Sequence, residues 1–218
     1  MEAVRTRRLL LVSPLGVIAV TSVIARAAGL GTGQWTWLPA LVVYWAALGS
    51  LVATGGGRAS LGRWLRGPAG GWGWAALALV VGLLPLPVFL TGRDVLRSVP
   101  VLAAWLAFAL VNPWFEEAYW RGLLTDATAG WPAWLRVLYP SVLFAANHPV
   151  ALGGIAAMRD PAVTLATFAM GVAWSVTYLR TGSLRYPIAS HVLVDLFNLA
   201  VPVLMGLYVP PGVAGGVP

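Results

Sequence analysis

VPVLAAWLAFALVNPWFEEAYWRGLL, residues 99–124, decides the fold. The run is long enough to cross a bilayer, whose hydrocarbon core takes about 20 mostly apolar residues of helix. Yet it carries Pro113, Glu116, Glu117 and Arg121. A charge at the centre of a membrane helix costs about 2.5–3.5 kcal/mol, and each large apolar residue returns only about 0.3–0.6 kcal/mol. The three charges therefore belong in a protein interior or a wet cavity, and ionisable groups at such a depth point to function.

The rest of the chain has the same character. Of 218 residues, 59% are hydrophobic and 10% are charged, against roughly 25% charged in soluble domains. The mean hydropathy of +0.81 describes the whole length, so a single anchor does not account for it. The expectation is an all-α, polytopic membrane helix bundle of about seven spans by the bilayer ruler: Leu9 to Ile24, Trp35 to Val52, Trp72 to Leu90, Val99 to Leu124, Trp134 to Val150, Val163 to Leu179, and Tyr186 to Val209. Residues 1–98 then form an N-terminal three-helix membrane region, 99–209 a second bundle, and the Gly- and Pro-rich stretch 210–218 a disordered tail. Trp35, Trp37, Trp72, Trp74, Trp131 and Trp134 fall at predicted span ends, where amphipathic rings anchor helices. Arg5, Arg7, Arg8, the apolar run after them and Ala25-Arg26-Ala27 resemble a signal peptide, but the length of the run favours an uncleaved helix.

The net charge of +7 comes from Arg alone. In a chain this apolar it reads as topology and contact with the lipid bilayer, with no nucleic acid as partner. A cytoplasmic N-terminus puts Arg5, Arg7, Arg8, Arg58, Arg63, Arg66, Arg136, Arg180 and Arg185 inside and leaves Arg26, Arg93, Arg97 and Arg159 outside, which is the positive-inside pattern of a multi-pass protein of the cell membrane. Cys is absent, so any nucleophile or ligand is oxygen or imidazole.

Glu2, Asp94, Asp126 and Asp160 fall at the terminus or in predicted loops. Glu116, Glu117, Asp195, Arg121 and both histidines, His148 and His191, lie within spans. Glu117 and Arg121, four apart, share a helix face, and Glu116 is turned about 100° away, which leaves it the freer carboxylate. Asn112 and Pro113 lie one turn upstream, and the proline invites a kink that opens room for water. His191, Asp195 and Asn198 form a polar stripe on one face. Phe144 packs one turn below His148, and Pro149 is expected to end that helix. Along the linear spans His148 and His191 sit at different depths, and the breaks at Pro113 and Pro149 are expected to bring them together.

Three ordered motifs result: EExxxR in Glu116–Arg121, FxxxH in Phe144–His148 and HxxxD in His191–Asp195. Together they resemble the CPBP family, which contains the type II CAAX prenyl endopeptidases and the Abi-like bacteriocin-processing and immunity proteins. The resemblance covers about Val99 to Val203 and makes 99–209 a catalytic helix bundle. It implies an intramembrane endopeptidase of glutamic type acting on a membrane-associated peptide or protein substrate. By matching motif positions, Glu116 would activate a water, His148 would help hold it, and His191 with Asp195 would stabilise the oxyanion. Glu117 and Arg121 would brace the first motif, and Asn198 could share the oxyanion work. An ionised Asp195 cannot donate to an oxyanion, so either it is protonated or it orients His191.

Two other readings stand beside this one. Glu116, His148 and His191 could hold zinc as a two-histidine, one-carboxylate set, although HExxH is absent; the glutamic reading needs no cofactor. Alternatively the cluster only joins the helices of a non-catalytic scaffold or immunity protein. A transporter is disfavoured because no inverted repeat is visible. Trp105, Phe108, Trp114, Tyr119 and Trp120 read as packing or lipid contacts, with Tyr119 and Trp120 also candidates to line a substrate path.

Overall fold

The computed structural model describes residues 2–66 and 71–213, and it is helical without a strand among them. The N-terminal region contains α1 (Glu2–Ala27), α2 (Leu38–Thr54), α3 (Gly57–Arg66), α4 (Trp72–Leu83) and α5 (Leu86–Gly92), the last followed by a 3-10 turn, Arg93–Arg97. Next comes α6 (Val99–Glu116), which passes directly into a π-helix, Glu117–Leu123, and the short α7 (Leu124–Ala127). The chain closes with α8 (Ala133–Ala151), α9 (Pro161–Thr181), α10 (Arg185–Phe197) and α11 (Ala200–Leu204).

Among the described residues four helical stretches are long and apolar enough to cross a membrane: 6–27, 72–97, 99–127 and 161–181. A fifth arises if α2 and the bent α3 count as one broken span. Each of the expected seven runs falls largely on helix, but neither α2 alone nor α8 is among these long apolar stretches, and the last run is interrupted. The interruption is at Leu199, the one non-glycine at positive φ (55°) among the described residues. A left-handed leucine costs about 1–2 kcal/mol, and it stays in place because its side chain is fully buried. The expected tail starts in a described turn and lies outside the described residues from 214 onward.

Local sequence sets these ends. Asp160 caps α9 by accepting from the Ala162 N–H at 2.7 Å, Pro161 occupies the first turn, and Gly182 closes the helix at φ 66°. Pro149 does not end its helix as expected: α8 runs on to Ala151 with both Pro140 and Pro149 inside it. Packed neighbours make such prolines tolerable in membrane helices.

Two buried clusters form the core. One gathers Tyr44, Leu48, Trp64, Trp120, Phe144 and Trp174. The other gathers Ala25, Trp37, Trp105, Phe108 and Val201. Both clusters contribute residues to the cavity that the polar residues of interest line. At one end of the bundle Asp126, expected in a loop, sits in α7 and ties three elements together. It accepts from Arg63 at 2.6 Å, from the Trp64 indole at 3.0 Å and from the Tyr178 hydroxyl at 2.8 Å. Trp64 lies against Gly122, where a Cβ would come within 2.9 Å of its ring, so only glycine lets α3 seat on the π-helix.

Candidate active site

Pro113 has no N–H to give, and the helix beyond it rewinds. The Glu117 N–H is shared between the Pro113 and Trp114 carbonyls, and the π-helix begins there. Such wide turns are rare and occur frequently at functional sites. All seven π-helical residues are buried. Glu117 and Arg121 are fully buried and paired, the guanidinium giving to Glu117 Oε1 at 2.9 Å. The guanidinium also lies 4.1 Å over the Phe144 ring and 5.0 Å from the Trp174 ring, within cation–π range of both.

Glu117 links the motifs. The same Oε1 that pairs with Arg121 accepts from His191 Nδ1 at 2.8 Å, joining the π-helix to α10. The other ring nitrogen, His191 Nε2, lies 3.3 Å from Glu116 Oε2 and 3.7 Å from Asp195 Oδ1. Trp174 stacks on the imidazole with centroids 4.6 Å apart. Trp174 is held in turn by its indole N–H on Ser190 Oγ at 2.8 Å, and that hydroxyl gives to the Ala78 carbonyl. The ring plane of His191 is therefore fixed from three helices.

Glu116, expected to be the freer carboxylate, is clear of Arg121 but takes partners from its own turn and from other helices. Oε1 accepts from the Tyr44 hydroxyl at 2.6 Å, and Oε2 accepts from Asn112 Nδ2 at 3.1 Å. The Tyr44 oxygen also accepts from the Trp120 indole at 3.0 Å. Asn112 is oriented by Trp45, whose indole gives to Oδ1 at 2.9 Å, and its amide also reaches Asp195 Oδ2 at 3.2 Å. Asp195 is thus an acceptor within this network. Tyr119 and Trp120, read as packing or lipid contacts and also as candidates to line a path, are fully buried, Tyr119 bonding Ser13 at 2.8 Å.

His148 approaches from α8. Its Nδ1 is 3.0 Å from the Phe144 carbonyl, and a carbonyl only accepts, so Nδ1 carries the proton and Nε2 of the neutral ring keeps its lone pair. Phe144 meets His148 at 5.1 Å and His191 at 6.2 Å, edge-on to both. One phenyl ring therefore spans the two histidines that the linear spans placed at different depths. Glu116, His148, His191, Asp195 and Asn198 all line one cavity of about 500 Å³, with Tyr44 and Asn112. Asn198 ends α10 just before the Leu199 break, and its Oδ1 is buried without a protein partner.

Residues 98–197 match the family model described as type II CAAX prenyl endopeptidase Rce1-like. This region belongs to the Rce1-like family. The match contains all three motifs, and with the apolar helices it makes the chain a multi-pass membrane protease whose family implies a membrane-associated peptide substrate. No curated protein and no solved structure matched the chain in the same comparisons.

The Rce1-like region does not supply the whole site. Tyr44 enters from α2, outside the matched residues, and the sequence offered no signal for it beyond one hydroxyl in an apolar span. Removing that hydroxyl strips a charge-assisted hydrogen bond of about 1.5–3 kcal/mol from Glu116. Tyr44→Phe is expected to slow peptide cleavage about 10- to 100-fold with little change in KM, read from initial rates of the purified chain in vesicles. Among the described residues no group of three His, Asp or Glu side chains is arranged to hold a metal ion. Glu116, His148 and His191 line the same cavity.

Proposed function

We propose that the Rce1-like chain is an intramembrane endopeptidase of glutamic type that hydrolyses a peptide bond of a membrane-associated peptide with water activated by Glu116. The observation that carries this reading is the seating of the Glu116 carboxylate in the cavity wall. It is held by Tyr44, Asn112 and His191, and the His148 Nε2 lone pair belongs to a ring lining the same space. A carboxylate so positioned suits general base work, with water held between Glu116 and His148.

In this mechanism the water oxygen attacks the scissile carbonyl carbon as its proton passes to Glu116. The neutralised Glu116 then loosens its hold on His191 Nε2–H. That donor turns to the developing oxyanion, assisted by the Asn198 amide. The C–N bond breaks as Glu116 gives the proton to the leaving amine. Asp195, already accepting from Asn112, serves as an acceptor that orients its neighbours. Glu117 and Arg121 anchor His191 from behind. Three carboxylates against one guanidinium need two protons for neutrality in a buried cluster, and a protonated His191 supplies one of them.

We also assign the end of the bundle bearing Arg7, Arg63 and Arg185 to the cytoplasm. Arg7 bonds the Ala127 and Ala129 carbonyls, Arg63 bonds Asp126, and Arg185 bonds the Leu65 carbonyl, so these cations gather at one end. On this assignment the N-terminus is cytoplasmic.

The test uses purified chain in lipid vesicles and a farnesylated peptide ending in a CAAX sequence, with the product identified by mass. Excess metal chelator is expected to leave the rate unchanged. Loss of cleavage on chelation, restored by added zinc, would overturn the metal-free mechanism.

A further inference from the structure

The cavity has a second polar end that the mechanism does not use. Thr21, Trp37 and Asn147 all line it, and they are 2%, 3% and 3% exposed. Thr21 Oγ1, Trp37 Nε1 and Asn147 Oδ1 are each buried without a hydrogen-bond partner in the protein. The helical hydroxyls of Ser13, Thr54, Thr91, Ser141, Thr167, Thr177 and Thr181 all give to a carbonyl one turn back. The buried Thr21 and Thr125 hydroxyls do not, and of these two Thr21 is the one that lines the cavity. Each such group costs about 1–3 kcal/mol if nothing meets it, so three around one cavity favour a polar occupant over an acyl or prenyl tail.

The three residues gather at one end of the bundle. Ser22 gives to the Val150 carbonyl at 3.0 Å, which lays this turn of α1 beside the end of α8, three residues beyond Asn147. Ala25, one turn on from Thr21, shares a buried cluster with Trp37. From Trp37, which already has helical backbone angles, a face of α2 leads to the catalytic end through Ala40, Leu41 and Tyr44, all lining the cavity. Seven residues of helix span about 10 Å, the reach of about three residues of extended peptide.

Chemistry narrows the occupant. Trp37 only donates, Thr21 donates or accepts, and Asn147 presents an oxygen that accepts. No Arg among the described residues lines the cavity, and the protonated His191 already faces Glu116 and Asp195, so a carboxylate here would be repelled. A peptide unit has the matching groups, one carbonyl and one N–H.

We propose that Thr21, Trp37 and Asn147 form a subsite that binds a main-chain peptide group of the substrate about three residues from the bond cut at Glu116. The proposal rests on Glu116 marking the cleavage point. It makes the enzyme a reader of extended backbone, with Trp37 and Thr21 giving to a carbonyl and Asn147 taking the N–H.

The experiment measures binding of the labelled farnesylated CAAX peptide to the Glu116→Gln chain in vesicles, where cleavage does not intervene. Adding Thr21→Val and Asn147→Leu together is expected to raise Kd about tenfold or more, and Thr21→Ser, which restores the hydroxyl, is expected to recover part of the loss. An ester replacing one backbone amide of the peptide should weaken binding to the parent chain at one position and add nothing further in the Asn147→Leu chain. Equal Kd values in parent and double variant, with folded fractions matched, would overturn the subsite. So would failure of the peptide to bind the Glu116→Gln chain at all. A tenfold loss of binding in the double variant, beside a chain with intact Glu116 that leaves the peptide uncut, would support the subsite and defeat the protease reading.

Discussion

Arg121→Met is expected to destabilise the folded chain by about 3–5 kcal/mol, the cost of leaving a buried charge without its partner. Methionine keeps most of the packing between Phe144 and Trp174, so the loss is electrostatic. Glu117 Oε1 would keep only the His191 N–H of its two present donors. The companion Glu117→Gln removes the stranded charge while keeping an oxygen for His191, and the double variant is expected to recover more than half of the loss. Unfolding in detergent, followed by tryptophan fluorescence across the four chains of the cycle, gives the coupling. An Arg121→Met chain as stable as its parent would show that the pair does not hold the π-helix to α10.

Glu116→Gln carries the largest expected effect on activity. The substitution is nearly isosteric, and the amide oxygen can still accept from Tyr44. What it loses is the capacity to take a proton from water, and general base groups contribute about 10²- to 10⁴-fold. Cleavage should fall by that factor while membrane abundance and unfolding stay near those of the parent. Glu116→Asp should fall between the two, because the shorter arm moves the base away from the water while keeping its chemistry. A scaffold or immunity role predicts the opposite, with phenotype intact in Glu116→Gln.

These two glutamates also show what the sequence made legible. Scarcity of charge in an apolar chain sorts residues by position, and it singled out Glu116, Glu117, Arg121, His148, His191 and Asp195 before any coordinates. The helical class follows from the same apolar runs. Their spacing gave the Glu117–Arg121 pair because residues four apart stay aligned in either a regular or a widened turn. Spacing left the partners of Glu116 unread, because Tyr44 and His191 come from other helices, and pairing across helices is set by packing that no periodicity records. Tyr44 and Trp174 went unnoticed for the same reason: each is one aromatic among many in an apolar span. Pro149 misled because a proline's local preference yields when neighbouring helices support the turn. The break at Leu199 was invisible because a left-handed leucine is unfavourable locally and is held by burial alone. The π-helix, too, has no sequence marker beyond Pro113 upstream of the acids.

The most direct test of the central claim is a side-by-side mass-spectrometric time course of farnesylated CAAX peptide cleavage by purified parent and Glu116→Gln chains, in the same vesicles with chelator present. The account predicts steady product from the parent and a rate from the variant lower by about 10² or more. Cleavage by the variant at a rate comparable to the parent, at equal folded fraction, would contradict it.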